Sequence, residues 1–220
     1  MYDRARFETA FARLWPHSDA TVKGLGAGII ASAPTVFPKY GWDSDLLVCH
    51  AMAQFSEETD CGREMQEDMN YSAARLLQVF RTHFTTAEAI QYQHQPRLIA
   101  DKAYGGRMGN KPPPSDDGWN CRGQGLSQLT GAANYKALQE KTGIPVYDKP
   151  DTLLDPSLAL EIGVADLTMC GCLPWAAKDN LLNVSALLNV GHLVTSARAI
   201  NGFGLRQQHL SLWKHAMGVA

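Results

Sequence analysis

Ser44-Asp-Leu-Leu-Val-Cys-His-Ala-Met-Ala-Gln-Phe-Ser-Glu-Glu-Thr59 reads as one strong helix. Asp43 or Ser44 caps its start, because a short side-chain oxygen there accepts a backbone N–H that the first turn leaves without a partner. At 3.6 residues per turn, Leu47, Ala51, Gln54 and Glu58 share one face, and Glu57 lies about 100° away on the same wheel. His50 groups with Glu57 and reads as a packed or surface histidine. An apolar face that ends on a carboxyl is chemically suggestive. Withdrawal from water is what keeps a carboxyl protonated near neutral pH, so Glu58 is the leading candidate for a proton donor.

Working outward, the rest of the chain is also helical in pattern. Residues 2–15 form a short amphipathic helix, with Phe7, Phe11, Leu14 and Trp15 at helical spacing. Residues 20–32 resemble a second helix, weakened by three glycines, and 33–41, with Pro34 and Pro38, read as a loop. Further helices are expected at 72–83, 86–92, 96–104, 131–142, 156–172, 183–188, 190–200 and 206–217. Alternating apolar runs are too short for strands. The expected fold class is therefore mainly α with little or no β. One catalytic domain over 1–220 is expected, its N-terminal helices 1–42 packing on a core of 43–220.

Composition removes several function classes. The 220 residues are 45 % hydrophobic and 19 % charged, with a net charge of −2, which is ordinary globular usage. No block of like charges marks a nucleic-acid stripe. No apolar run approaches the ~20 residues that cross a bilayer, so membrane insertion is not expected. The N-terminal stretch has charges but no apolar segment behind them, and synthesis in a cytoplasm without a signal peptide is the expectation. Five cysteines, an odd number, argue for free thiols in a reducing compartment. Cys170-Gly-Cys172 has no matching Cys or His pair, so it reads as small buried residues, and no metal or other cofactor is expected. A monomer is the default.

Residues 60–70 are polar and irregular and carry Glu67, where a carboxylate would stay ionised. Residues 105–125 form a long loop, and loops of that length in compact domains are usually functional. The stretch Asp117-Gly-Trp-Asn-Cys-Arg-Gly-Gln-Gly-Leu-Ser-Gln-Leu-Thr130 is a Gly-rich turn followed by a row of amide and hydroxyl groups, a surface suited to gripping a sugar. Cutting a glycosidic bond needs one carboxyl that gives a proton and one that activates water or attacks. Glu58 and Glu67 fit those roles, with Glu57, Glu64 and Asp68 as competitors. Tyr104, Arg107 and Trp119 are candidate sugar contacts. Trp119 could equally pin the loop, and Arg107 leans toward a structural ion pair.

Ala53-Gln-Phe-Ser-Glu-Glu-Thr59 resembles the Gln-x-x-His-Glu-Ser/Thr signature of glycoside hydrolase family 19. Glu67-Asp-Met-Asn-Tyr-Ser72, Tyr104-Gly-Gly-Arg-Met-Gly-Asn110 and the stretch from Gly118 to Gly131 resemble that family's lysozyme-like, phage endolysin branch. Ile200-Asn-Gly202 is similar to the family's Ile-Asn-Gly. The matches span roughly 45–206 in the family's order. The resemblance implies a lysozyme-like, chitinase-like helical fold and an inverting hydrolase. It assigns Glu58 as general acid and Glu67 as general base. It gives Gln128 and Thr130 the positioning of sugar and water, and Asn134 and Asn201 further substrate contacts. Glu57 stands where the family often has histidine, Cys121 where it has tyrosine and Gln124 where it has arginine.

Peptidoglycan is the expected polymer, because the resemblance is to the lysozyme-type branch and the chain has no Cys-rich chitin-binding module. Chitin is the alternative. Two rivals from other classes are a sugar-binding module without catalysis and a structural cell-wall or phage-tail protein. A wall hydrolase made without a signal would need release through a holin, or delivery by a secretion machine and an immunity protein at home.

Overall fold

The computed structural model describes residues 1–220, and 57 % of them are helical. The chain lays down α1 (Arg4–Leu14), α2 (Leu25–Lys39), α3 (Asp45–Glu58), α4 (Ala73–Val79), α5 (Thr86–Tyr92) and α6 (Pro96–Tyr104). There follow α7 (Asp117–Asn120), α8 (Ala132–Thr142), α9 (Ala159–Met169), α10 (Leu173–Ala176), α11 (Leu181–Asn189) and α12 (Phe203–Met217). Extended pairing is limited to isolated bridges, Gln66 with Gln124 and Gln124 with Leu129. The mainly α expectation holds. No helix is long and apolar enough to cross a membrane.

These elements form two compact units. The first comprises Met1–Met65, Gly125–Ser127 and Asp151–Ala220; the second comprises Gln66–Gln124 and Gln128–Pro150.

The first unit is built around α3. Ser44, rather than Asp43, caps it, its hydroxyl accepting the Leu47 N–H at 3.3 Å. Val48, Ala51, Met52, Ala53, Gln54 and Phe55 are all fully buried. α12 packs along α3, and α1 packs on α12. The Ser56 hydroxyl ties the three together: it accepts the indole N–H of Trp15 at 2.9 Å and of Trp213 at 3.0 Å, and donates to the Met52 carbonyl at 2.7 Å. His50, also on α3, is fully buried and faces Asp179 at 2.8 Å, and Asp179 in turn meets Lys214.

α2 departs from expectation. It runs from Leu25 to Lys39, straight through Pro34 and Pro38, where a loop was expected. Each interior proline removes a backbone donor and crowds the preceding turn. Burial outweighs that cost: Ile29, Ala33 and Phe37 are fully buried, and Val36 nearly so. The helix also begins later than expected. Gly24 sits in the left-handed region at φ +83°, and the Asp19 carboxylate accepts the N–H groups of Gly24 and Gly26.

The helix expected over 190–200 is absent. α11 stops at Asn189, Gly191 has φ +81°, and only a 3-10 turn at Ala197–Ala199 remains. None of residues 190–199 is buried, so that stretch has no core to pack against. An amphipathic pattern without a partner surface does not stabilise a helix.

The second unit packs α4, α5 and α6 around Leu76, Phe80, Phe84, Ala89, Ile99, Ala100 and Ala103. α5 opens on a full capping box between Thr85 and Glu88. α4 is shorter than expected and ends at Val79. The central loop is pinned at both ends by one side chain: Asn110 donates to the Tyr104 carbonyl at 3.0 Å and accepts the Ala132 N–H at 2.7 Å. The loop also contains α7, whose Gly118 lies so close to α6 that a Cβ there would stand 2.6 Å from the Ala100 carbonyl oxygen. Only glycine permits that approach.

Candidate active site

Glu58 is the last residue of α3, with its side chain 15 % exposed. Arg206 of α12 holds it, with Nη2 donating to Oε1 at 2.6 Å. The same guanidinium donates through Nη1 to the Gln54 side-chain oxygen at 2.6 Å and through Nε to the Asn201 carbonyl at 3.2 Å. Gln54 passes the chain on, donating to the Ser185 hydroxyl at 3.1 Å. A planar fork that meets three acceptors fixes its own plane, and so fixes the carboxyl it touches. Glu58 accepts no hydrogen bond through Oε2. Glu57, its neighbour, lies over the backbone of Gly202. Burial raises the Glu57 pKa; Arg206 opposes the shift and the charges of Glu58 and Asp60 add to it.

A further carboxyl stands in the same unit. Asp166 of α9 is buried, its Oδ1 3.8 Å from the Cys170 thiol. Burial pushes its pKa up to about 6, and the charge of Glu58 adds to the shift.

Glu67 lies in the second unit, on the irregular segment before α4. Its backbone N–H donates to the Gly123 carbonyl at 2.8 Å. The Tyr104 hydroxyl donates to the carboxylate at 2.8 Å from Oε1 and 2.9 Å from Oε2. The Gly123 N–H approaches Oε2 at 3.4 Å. The sequence placed this carboxylate in a polar segment where it would stay ionised; in the structure it is half-buried. Burial raises its pKa, while the bonds from Tyr104 and Gly123 and the charge of Arg122 pull it back.

Gly123 is where the sequence-derived residues of this unit meet. A Cβ on it would stand 2.9 Å from Gln128 Oε1, 3.4 Å from Thr130 Oγ1 and 3.5 Å from Glu67 Cβ. The amide, the hydroxyl and the carboxylate-bearing side chain therefore pack closely around Gly123, and a side chain on residue 123 would displace them. Thr130 spends its hydroxyl proton on the Gln128 carbonyl at 2.9 Å, so its oxygen is left as an acceptor. Gln128 reaches this position with φ +51°, a left-handed backbone that is uncommon outside glycine.

The other predicted contacts divide. Asn134 is exposed on α8 and donates to the Thr130 carbonyl at 2.9 Å, bracing that residue. Asn201 is exposed in the first unit, its N–H on Asn189 and its carbonyl on Arg206. The Trp119 ring is covered on one face by the Arg122 guanidinium, 3.7 Å from its centroid, and its backbone N–H is held by Asp101. Arg107 makes no ion pair; it donates to the Ala103 carbonyl at 3.0 Å and meets His83 at 2.6 Å. Cys172 is buried, with its thiol on the Val184 carbonyl, and no group of three His, Cys, Asp or Glu side chains is placed to hold a metal.

No family model matches the chain. A Haemophilus influenzae protein named as glycosyl hydrolase family 19 domain-containing is 35 % identical over 137 residues, 62 % of this chain. The match covers 65 % of that relative's length, a little under two thirds. Among solved structures, a chitinase C mutant superposes with a TM-score of 0.59 at 16 % identity, over 100 % of this chain and 93 % of that one. Chitinase C from Streptomyces griseus HUT6037 gives 0.55 at 16 % identity, over 97 % of this chain and 92 % of that one.

The chain is thus similar in sequence to a protein named for glycosyl hydrolase family 19, and shares its fold with chitinases.

Arg206 is a residue of this candidate site that the sequence motifs do not mark. Its signal is positional. It falls on the stripe of α12 that includes Leu210, Trp213 and Met217, and an arginine on an otherwise apolar stripe is buried only against a partner. That partner is Glu58, 148 residues away.

Proposed function

We propose that the protein is an inverting glycoside hydrolase of β-1,4-linked polymers containing N-acetylglucosamine, with Glu58 as general acid and Glu67 as general base. The observation that carries this reading is the packing of the Glu67, Gln128 and Thr130 side chains together around Gly123. A water held beside these side chains would give one proton to the Glu67 carboxylate and point its other at the Thr130 oxygen, which has only acceptor capacity left. Its lone pair is then turned toward the sugar carbon. Glu58, oriented by Arg206, gives its proton to the leaving oxygen. Water and two carboxyls suffice, so each step is written on the chain's own residues.

Peptidoglycan is the proposed polymer. The support is the likeness of Glu67-Asp-Met-Asn-Tyr-Ser72 and of the segment from Tyr104 to Asn110 to the lysozyme-like branch. Chitin is the second reading, favoured by the chitinases among the solved structures with this fold. The test is clearing of outer-membrane-stripped Gram-negative cells, run beside hydrolysis of chitin oligomers, with mass analysis of the products. Wild type should release fragments ending in reducing N-acetylmuramic acid. Glu58→Gln and Glu67→Gln should each lose about 10²- to 10⁴-fold in rate while staying folded. Activity on chitin oligomers alone selects the second reading. No product from either polymer, with sugar binding intact, would leave a binding module and refute the hydrolase.

A further inference from the structure

Tyr104 is more tightly placed than a sugar-stacking aromatic needs to be. It is the last residue of α6, and its backbone carbonyl is held by Asn110 at 3.0 Å. Its ring meets Phe80 edge-on, with centroids 6.0 Å apart and planes at 86°. The hydroxyl is thereby fixed at nearly equal distances, 2.8 and 2.9 Å, from the two oxygens of Glu67. One O–H proton shared between both oxygens sets the plane of a carboxylate without selecting either oxygen. A neutral phenol can do this without adding a charge. Burial and the nearby charge of Glu67 raise the phenol pKa, so it remains a donor. The other groups that bear on this carboxylate are the Gly123 N–H, Arg122 and Tyr71, and Tyr104 itself feels Arg107.

We propose that Tyr104 is the positioning residue of the base, its hydroxyl holding the Glu67 carboxylate in the orientation that takes a proton from water beside Gln128 and Thr130. The assignment rests on the hydrolase reading and deepens it. Hydrogen bonds to a carboxylate favour its charged form. Removing the phenol therefore makes Glu67 harder to ionise, and the base is lost at a higher pH than before.

Two measurements on Tyr104→Phe test this, with Tyr71→Phe as control. The first follows the Glu67 carboxyl through a pH titration by carbon NMR. The second is the pH profile of kcat/KM. In Tyr104→Phe, the Glu67 titration and the acidic limb should move together to higher pH. At the acidic end the loss should be about tenfold or more, the scale of one hydrogen bond to a charged group, and it should shrink as pH rises. Tyr71→Phe, which removes a phenol that makes no hydrogen bond to Glu67, should leave the limb in place. An unmoved Glu67 titration overturns the proposal whatever the kinetics. A raised KM with an unchanged profile also overturns it and returns Tyr104 to sugar contact. A Glu67 titration that moves while the limb stays put takes Glu67 itself out of the base role, a separate failure that reaches the hydrolase mechanism.

Discussion

Arg206→Met isolates the energetics of the acid's support. The substitution keeps an unbranched apolar stem of similar length and removes the guanidinium. Three acceptors lose their donor: Glu58 Oε1 and Gln54 Oε1 at 2.6 Å each, and the Asn201 carbonyl at 3.2 Å. Arg206 is 2 % exposed and Glu58 15 %, so water replaces little of what is lost. With charge centres roughly 4 Å apart and an effective dielectric of about 20, the pair attraction is about 4 kcal/mol. Breaking a buried pair by removing one partner costs about 3–5 kcal/mol, because the remaining group is stranded. For a protein of this size that is a Tm drop of roughly 6–20 °C. The assay is urea and thermal unfolding of wild type, Arg206→Met, Glu58→Gln and the double variant. The cycle should return a coupling of about 1 kcal/mol or more between positions 58 and 206. A single-variant loss below about 1 kcal/mol, with additive effects in the cycle, would refute the claim that Arg206 holds Glu58.

Asp166 should make stability fall as pH rises. Its folded pKa, about 6, lies above the ordinary 3.8, so the folded state binds the proton more tightly. The stabilisation is complete below about pH 4 and is lost as pH climbs toward 6, a change on the order of 3 kcal/mol. Asp166→Asn should match wild type in Tm at pH 4 and exceed it by several degrees at pH 7; parallel Tm curves would refute the reading. Gly28→Ala should destabilise by about 1–3 kcal/mol or more, since its Cβ would stand 2.0 Å from the Pro156 carbonyl oxygen. Gly204→Ala, in α12 with nothing within 4 Å, should instead stabilise by about 0.5–1 kcal/mol. Equal denaturation midpoints for the two variants would show that the close approach at Gly28 is not real.

What the sequence conveys, and what it withholds, follows from the range of the forces involved. α3 is legible because its cap and its apolar face are local: Ser44 and the 47–51–54–58 stripe lie within one segment. α2 is not, because prolines signal a break locally while the burial of Ala33, Val36 and Phe37 is decided by residues elsewhere in the chain. The 190–200 stretch errs in the other direction, with a helical pattern but no surface to bury it. The candidate site divides the same way. Glu58, Glu67, Gln128 and Thr130 stand in readable motifs, and the last three meet at Gly123. The contacts that orient the two carboxyls are not readable from motifs, although Tyr104 itself stands in one. Tyr104 reaches Glu67 across 37 positions, and Arg206 reaches Glu58 across 148.

The double acceptor at Ser56 has a consequence for how the molecule is made. Trp15 is synthesised 41 residues before Ser56, but the second indole, Trp213, comes 157 residues after it, and Phe7 stacks on it with ring centroids 6.1 Å apart. α1 and α3 therefore stay with their α12-facing sides uncovered until α12 is made, while the α4–α6 segment, whose partners are close in sequence, can already assemble. Nascent chains stalled before α12 should bind chaperones and be cut readily between α1 and α3. Protection there should arrive as an all-at-once event when α12 is released.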